Sequence, residues 1–350
     1  MRGRIFLAAS IAGLTLASMA VAAASDCNMV QVADWPVRLE RNKLIVDGAI
    51  NGQKIGVILD TGASRSMILR SAAVRLGLGL KAVRGYRMFG IGGETQVEAA
   101  FVDEFKIGQA VRKGWRVLVG GEHNFGGESA FILGEDFLHL ADVEFDLAHN
   151  AVRLYKPKDC DGASLAYWAT DGAGETEIEA VDDGAPRIIL TVQINGQPVR
   201  AMLDSGAGTS MLTKSTAAQL GVTPETPGVV AQASAFGLGT KTVDTWIGPF
   251  SSFAIGDEVI RDTTIHFADL WKDATYTSGD LIRRHAEGEV PMLLGADFLL
   301  AHRLLVAHSQ RKIYFTFAGG PVFRHANQVP ATATDAKPAT ARTLDPPKTQ

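Results

Sequence analysis

The stretch VILDTGAS, residues 57–64, carries the pattern on which the fold of this chain depends. Apolar, β-favouring residues run up to Leu59, an acid follows at Asp60, and Gly62 ends the run. A strand of this kind would be buried and would deliver the Asp60 carboxylate to a turn at the edge of a core. Taken alone, the pattern fits equally well an acid that only accepts hydrogen bonds from its own turn.

The same pattern occurs a second time in the chain. Residues 50–64, INGQKIGVILDTGAS, align without a gap with residues 194–208, INGQPVRAMLDSGAG, at an offset of 144 positions. Further downstream, FILGEDFL at residues 131–138 is matched by MLLGADFL at residues 292–299. The chain is therefore a tandem duplication of a unit of about 130 residues, and the acid of the first copy has a counterpart in the second.

Short apolar runs between glycine-containing turns dominate both copies. The INGQ stretches indicate hairpin turns, because Asn-Gly supplies the positive φ values that a tight turn requires. Helix-like patterns are brief: SAAVRL at residues 71–76, its counterpart STAAQL at residues 215–220, and the pieces after each LGxDFL. The sequence thus predicts an all-β pair of lobes with short helices.

Composition divides the chain into five parts. Residues 1–24 predict a secretory signal peptide, because two arginines precede an apolar run that ends in small residues. Lobes are predicted at residues 25–156 and 187–318, with a connector at residues 157–186 and a disordered tail at residues 319–350. We therefore expect a periplasmic or secreted protein without stable membrane insertion. The alternative is a retained membrane anchor, for which the apolar run is short.

The chain contains two cysteines, Cys27 near the start of the mature chain and Cys160 after the first lobe. In an oxidising compartment, two lone cysteines suggest a disulfide that ties the N-terminus to the exit of that lobe. Two unpaired thiols are the alternative that the sequence leaves open.

Charge and motif content argue against several classes of function. Lys and Arg number 34 against 38 Asp and Glu, and this balance predicts no basic surface for nucleic acid or anionic lipid. The histidines lack the paired spacing of a zinc-binding HExxH helix, and no G-x-S-x-G elbow occurs. The FGIGGE stretch lacks the helix context and the lysine of a phosphate-binding loop. We therefore expect no metal and no cofactor.

Duplication turns one acid into a pair. If the two copies pack about a pseudo-twofold axis, Asp60 and Asp204 face each other. Two adjacent carboxylates cannot both ionise at low cost, so the pair shares a proton and acts as an acid and a base at once. Such a pair can activate a water for attack on an amide carbonyl while it polarises the carbonyl oxygen.

The residues after each acid have matching roles in this hypothesis. Gly62 and Gly206 let backbone amides approach the carboxylates. The hydroxyl groups of Thr61 and Ser205 can form hydrogen bonds across the junction of the lobes. These residues would hold the two turns in register.

The D-T/S-G-A signatures, each with an apolar-apolar-Gly element at residues 132–134 or 293–295, resemble those of the retropepsin-like aspartic proteases. The resemblance covers nearly all of the predicted folded chain. It implies two homologous acid-protease-type β-barrel lobes in a single-chain, pepsin-like arrangement that works as a monomer. It also implies an endopeptidase for peptide or protein substrates, with Asp60 and Asp204 as the catalytic residues.

In that family a β-hairpin flap closes over the bound peptide. The resemblance places flaps in two glycine-rich hairpins of this chain, where glycine would permit motion and close approach to substrate. The flap residues would be Gly90, Ile91, Gly92 and Gly93 in the first copy and Gly237, Leu238 and Gly239 in the second. The alternative is that these stretches are only tight turns.

One departure concerns the residue after each D-T/S-G triplet. Pepsin-like lobes commonly have Ser or Thr there, whereas this chain has Ala63 and Ala207. Loss of a hydroxyl donor to the carboxylates should raise their pKa values. We therefore expect activity closer to neutral pH.

The second copy is longer than the first, and much of the excess lies at residues 269–291. This insertion contains Trp271, Tyr276, Arg283 and Arg284, residue types that contact substrates or partner proteins. The alternative is a loop that only covers the lobe.

Two other hypotheses use the same fold. A catalytically silent module would bind peptides or act as a scaffold through the cleft between the lobes. The intact triplets in both copies argue against it. In a third arrangement, each lobe would pair with a lobe of another chain, giving an obligate dimer with two clefts.

Overall fold

The computed structural model describes residues 27–180, 186–277, 283–285 and 289–323. The predicted signal peptide, residues 1–24, lies outside these residues, as does the end of the predicted tail. Among the helices that are described, none is long and apolar enough to cross a membrane.

The first copy consists of strands joined by tight turns, with two short helices and one 3₁₀ turn. The strands are β1 (Asn28–Glu40), β2 (Lys43–Ile50), β3 (Gln53–Leu59), β4 (Met67–Leu69), β5 (Leu80–Ala82), β6 (Met88–Gly90), β7 (Gly93–Thr95), β8 (Glu98–Ile107), β9 (Ala110–Gly120), β10 (Ser129–Leu133), β11 (Asp142–Asp146) and β12 (Ala151–Lys158). The helices are α1 (Arg70–Arg75) and α2 (Glu135–Leu138), and the 3₁₀ turn is Leu147–His149.

The connector and the second copy add the remaining elements. The strands are β13 (Gly174–Glu177), β14 (Ile189–Ile194), β15 (Gln197–Leu203), β16 (Met211–Thr213), β17 (Val230–Phe236), β18 (Thr242–Ile255), β19 (Glu258–Ala268), β20 (Thr275–Thr277), β21 (Arg283–His285), β22 (Met292–Leu294), β23 (His302–Ala307) and β24 (Lys312–Phe317). The helices are α3 (Lys214–Gln219) and α4 (Ala296–Ala301).

Each copy closes six strands into a barrel. The order in the first is β2-β3-β10-β4-β9-β8, closed by pairing of β8 with β2, and in the second β14-β15-β22-β16-β19-β18, closed by pairing of β18 with β14. The parallel pair β3 and β10 recurs as β15 and β22. The predicted all-β fold of two homologous barrel lobes is confirmed.

The terminal strands of both copies form one sheet that joins the barrels. β13, β24, β23, β11, β12 and β1 lie side by side in this order, and β1 continues to β2 of the first barrel. β11 of the first copy pairs antiparallel with β23 of the second, with Val143 opposite Val306. The sheet therefore fixes the orientation of the two lobes about their pseudo-twofold axis.

Local details agree with the sequence predictions. Asn51 and Gly52 have φ values of 48° and 80°, and Asn195 and Gly196 have 52° and 75°, as the INGQ hairpin turns require. The short helices α1 and α3 lie where the SAAVRL and STAAQL patterns place them. The strand that leads to the first acid is buried completely, from Val57 to Leu59.

The segments that flank the lobes are attached to them through contacts distant in sequence. Cys27 and Cys160 form the predicted disulfide, which ties the start of β1 to the connector. Within the connector, β13 pairs with β24 of the second lobe. Past the predicted lobe boundary at residue 318, the ring of Phe323 packs on Phe253 at 5.0 Å between centroids, so the chain stays attached up to this point.

Candidate active site

The two acids occupy equivalent turns at the ends of buried strands. The Asp60 amide donates a hydrogen bond to the Leu133 carbonyl at 3.0 Å, and the Asp204 amide donates one to the Leu294 carbonyl at 2.9 Å. Leu133 and Leu294 belong to the two apolar-apolar-Gly elements. Each element therefore holds the signature turn that lies beside it.

Each acid accepts two hydrogen bonds from backbone amides of its own turn. The Oδ1 atom of Asp60 accepts both at 3.0 Å, and that of Asp204 accepts both at 2.9 Å. The donor amides belong to Gly62 and Ala63 in the first turn and to Gly206 and Ala207 in the second. These bonds orient the carboxyl groups and leave their other oxygens available for chemistry.

The glycines of the signatures are required because each carboxyl group lies against the opposite turn. A Cβ atom at Gly62 would overlap the carboxyl group of Asp204, and a Cβ atom at Gly206 would overlap that of Asp60. The two carboxyl groups therefore lie side by side between the turns. The structure thus brings together the two acids that the repeat paired in sequence.

The hydroxyl groups of Thr61 and Ser205 form four hydrogen bonds between the two lobes, which we call the clasp. Thr61 Oγ1 donates to the Leu203 carbonyl at 2.7 Å and accepts from the Ser205 amide at 2.9 Å. In return, Ser205 Oγ donates to the Leu59 carbonyl at 2.9 Å and accepts from the Thr61 amide at 3.0 Å. All four bonds are buried and cross between the lobes, so they keep the two turns in register.

Burial raises the pKa values of both acids. The Asp204 pKa rises to about 7, first through burial and then through the charge of Asp60. Burial also raises the Asp60 pKa, against the opposing charge of Lys43. Since the two carboxyl groups lie next to each other, they titrate as a pair. The alanines after each triplet predicted raised pKa values for the two acids. In the structure, the largest cause of the raised pKa values is burial.

In each copy, a serine after the signature turn forms hydrogen bonds with the apolar-apolar-Gly element and with the acid that follows it. Ser66 Oγ donates to Asp136 Oδ1 at 2.6 Å and accepts from the Gly134 amide at 3.0 Å. The second copy repeats the arrangement with Ser210, Asp297 and Gly295. Sequence reasoning quoted these stretches for their glycines and missed the serine and acid pairs, although both occur at equivalent repeat positions.

Lys43 is a further residue of the site that sequence reasoning missed. Its Nζ atom donates to the Gly206 carbonyl at 2.9 Å and lies 4.7 Å from the centroid of the Phe125 ring. Burial lowers the pKa of Lys43, and the charges of Asp60 and Asp204 oppose that change. The available signal was a basic residue at the same repeat position in both copies, since Arg187 lies 144 positions later.

A cleft of about 740 Å³ opens above the two acids, and four of the predicted flap residues line it: Gly90, Ile91, Gly237 and Leu238. Gly92, Gly93 and Gly239 are not part of this lining. The first predicted flap is the β6–β7 hairpin, with Ile91 and Gly92 at its tip. The second is the turn between β17 and β18. The lining residues that bear on the argument are Lys43, Asp60, Ile91, Asp204, Leu238 and Trp271.

The two flap tips are hydrogen-bonded to each other across the cleft. The Gly239 amide donates to the Ile91 carbonyl at 3.0 Å, and the Lys241 amide donates to the Gly92 carbonyl at 3.1 Å. Leu238 lies against Gly90, and Ile91 lies against Gly237. These stretches therefore form the roof of the cleft.

Each flap also touches a loop of the opposite lobe. The Glu122 amide of the first lobe donates to the Leu238 carbonyl at 3.3 Å. In the second lobe, Asp273 lies beside Gly93, and its carboxylate binds Lys241 Nζ at 2.6 Å. The first part of the predicted insertion thus supports a flap.

Trp271 of the insertion is partly buried. Its indole Nε1 donates to the Val290 carbonyl at 2.9 Å, and its ring lines the cleft. The side chains of Tyr276, Arg283 and Arg284 lie outside the described part of the structure.

Glu135 distinguishes the first lobe from the second. It follows Gly134, is 1% exposed, and has no hydrogen-bond partner for either carboxyl oxygen among the described residues. Burial, together with the charge of Asp60, raises the Glu135 pKa to about 8. Its nearest nitrogen partner, His308 Nε2, lies 3.6 Å away, and burial lowers the His308 pKa to about 4. Ala296 occupies the equivalent position in the second lobe.

Comparison with known families agrees with the geometry. The sequence matches the family described as aspartyl protease over residues 46–137 and 190–298, together more than half of the chain. The two matched regions fall on the two barrels, and each contains one signature acid. The chain belongs to the aspartyl protease family, which confirms the resemblance stated above. A comparison with curated proteins gave no match.

Proposed function

We propose that the protein is an exported aspartic endopeptidase whose catalytic residues are Asp60 and Asp204. The observation that carries the proposal is the apposition of the two signature turns at the floor of a single cleft, where each glycine packs against the opposite carboxyl group. Membership of the aspartyl protease family supports the class of reaction. Export is supported by the N-terminal sequence and by the Cys27–Cys160 disulfide.

The reaction uses one water and the single proton of the acid pair. The ionised carboxylate of Asp60 takes a proton from the water, and the water oxygen bonds to the amide carbon. Asp204 gives its proton to the carbonyl oxygen, which produces a neutral diol. Asp60 then protonates the amide nitrogen, Asp204 takes back the diol proton, and the C–N bond breaks. The acid pair returns to its starting state.

The cleft fits an extended peptide better than a compact ligand. Flaps from both lobes roof it, and backbone groups at their tips lie close to the space above the acids. An extended peptide can pair with such groups through its own backbone. Because one chain supplies both acids, we infer that the monomer is the active form.

The charge state of the acids predicts the working pH. A pair that holds one proton loses it near the Asp204 pKa of about 7. Activity therefore persists to near-neutral pH and falls above it, which suits a periplasmic or extracellular compartment.

The test is cleavage of a randomised peptide library from about pH 4 to about pH 7.5. The mature protein is compared with Asp60→Asn and Asp204→Asn variants and with a statine-type inhibitor. We expect the inhibitor and either substitution to abolish cleavage while the thermal unfolding midpoint stays high. No cleavage by well-folded wild-type protein would contradict the proposal and favour a silent peptide-binding module.

A further inference from the structure

Lys43 occupies a position next to the acids that the proposed reaction does not yet use. It begins β2, and its Nζ atom is anchored on the Gly206 carbonyl at 2.9 Å. The Phe125 ring covers it at 4.7 Å and limits its contact with water. The ammonium group is therefore held in one place at the wall of the cleft.

The anchoring residue places the ammonium beside the acid pair. Gly206 belongs to the Asp204 turn and donates its amide to Asp204 Oδ1, and it also packs directly against the Asp60 carboxyl group. A cation bound to the Gly206 carbonyl consequently lies near both carboxyl groups. The charge of Lys43 is the largest of the causes that lower the Asp60 pKa against the effect of burial. For the Asp204 pKa, the backbone hydrogen bond from Ala207 is a larger cause than Lys43.

We propose that Lys43 is a positioning residue that keeps the acid pair singly ionised and holds the negative charge on Asp60. This inference rests on the proposed function, because it assigns Asp60 as the base and Asp204 as the acid of that reaction. A buried carboxylate is costly without a nearby positive charge, and Lys43 supplies that charge from a fixed point.

Other charged groups also line the cleft near the pair. Glu135 lies behind the Asp60 turn, and its raised pKa keeps it largely neutral below about pH 8, so it adds little negative charge in the working range. Arg87 is paired with Glu94 at 2.6 Å on the first flap. The remaining charged side chains that line the cleft are Arg65, Arg187 and Glu289.

The test separates the charge of Lys43 from its hydrogen bond. Lys43→Gln keeps a donor for the Gly206 carbonyl and removes the charge, whereas Lys43→Arg keeps both. Lys54→Gln, at an exposed position of β3, controls for an altered surface charge. For each protein, kcat/KM for one cleaved peptide is measured against pH.

Loss of the charge should raise the pKa values of both acids, because the opposing cation is gone. We expect both limbs of the Lys43→Gln profile to move to higher pH, the acid limb by about one unit. The limbs of the Lys43→Arg and Lys54→Gln profiles should stay at the pH values of the wild-type limbs, whatever the height of the profile. An unmoved acid limb in a folded Lys43→Gln protein would overturn the inference.

Two controls keep the outcomes distinct. If Lys43→Gln fails to fold, the pH dependence of statine-type inhibitor binding to Lys43→Arg and wild type is compared, and a shifted profile for Lys43→Arg would contradict a role that depends on charge alone. If wild-type protein cleaves no peptide, the proposed function itself fails. If it cleaves and Lys43→Gln behaves like wild type, only the role of Lys43 fails.

Discussion

The two lobes are nearly identical where the carboxyl groups meet and different immediately around them. Both turns offer the same amides, the same cross-lobe hydroxyl contacts and the same glycine. Around this symmetric centre, the repeat aligns Lys43 with Arg187 and Glu135 with Ala296. The comparison teaches that duplication fixes the geometry of the pair, whereas the residues that surround the pair have diverged between the lobes.

The roofs of the lobes differ in the same way. The first flap is a paired hairpin, β6 with β7, whereas the second is a short turn between two long strands. The first is supported by the second-lobe insertion near Asp273, and the second by the loop at Glu122. Each lobe therefore helps to close the flap of the other.

The largest effect is expected on stability, from substitutions of Thr61 and Ser205, where the two lobes are most alike. Thr61→Val leaves the buried Leu203 carbonyl and Ser205 amide without partners, and Ser205→Ala does the same to the Leu59 carbonyl and the Thr61 amide. Each substitution should lower the free energy of unfolding by about 3 kcal/mol, measured by urea denaturation.

The symmetry of this clasp can itself be tested. Thr61→Ser and Ser205→Thr keep the hydroxyl groups and should retain most of the stability. A difference of more than about 2 kcal/mol between Thr61→Val and Ser205→Ala would show that the two halves of the clasp are not equivalent.

A smaller effect is expected at Glu135, where the lobes differ. Its pKa rises from the ordinary value of 4.5 to about 8, so its contribution to stability is fully present below about pH 4.5 and is lost as pH rises through 8. Glu135→Gln should therefore stabilise the fold by roughly 2 kcal/mol at about pH 8.5 and change little at about pH 4.5.

The measurement is urea denaturation of both proteins across this pH range. Glu128→Gln, at an exposed glutamate of the same lobe, serves as the matched control and should not alter the pH dependence. Parallel curves for wild type and Glu135→Gln would show that Glu135 ionises normally in the folded protein.

The smallest effect concerns the joined flap tips. Gly92 has a φ of 85°, and a Cβ atom there would collide with the Lys241 carbonyl. Gly92→Ala should force the tips apart and lower kcat/KM about tenfold, measured with a cleaved peptide. Gly52→Ala has the same backbone strain at a φ of 80° but meets open space, so its activity should stay near that of wild type.

The repeat is the reason that much of the fold and site could be predicted from the sequence. The offset between the two copies paired Asp60 with Asp204, and the hairpin and helix patterns lie where the structure has them. The roles of the glycines and hydroxyls followed from their places beside these acids, and the flap stretches followed from the resemblance to the retropepsin-like aspartic proteases. Lobe boundaries stay approximate, because β13 and Phe323 attach through contacts distant in sequence.

The burial of Lys43 and Glu135 could not be predicted from the sequence, for a physical reason. A lysine at the start of a strand and a glutamate at the start of a helix are ordinarily solvated, and their sequence neighbours do not show otherwise. Burial of Lys43 depends on Phe125 and on Gly206 of the other lobe. The joined flap tips likewise depend on how the lobes are oriented, which only the shared sheet determines.

The most direct measurement mixes two inactive proteins. Asp60→Asn and Asp204→Asn variants are purified separately, combined in equal amounts and tested on a peptide that the wild-type protein cleaves. A pair formed within one chain predicts that wild type cleaves and that both variants and their mixture stay inactive. Activity in the mixture would show that lobes of different chains pair, and activity in either variant alone would contradict the two-acid mechanism.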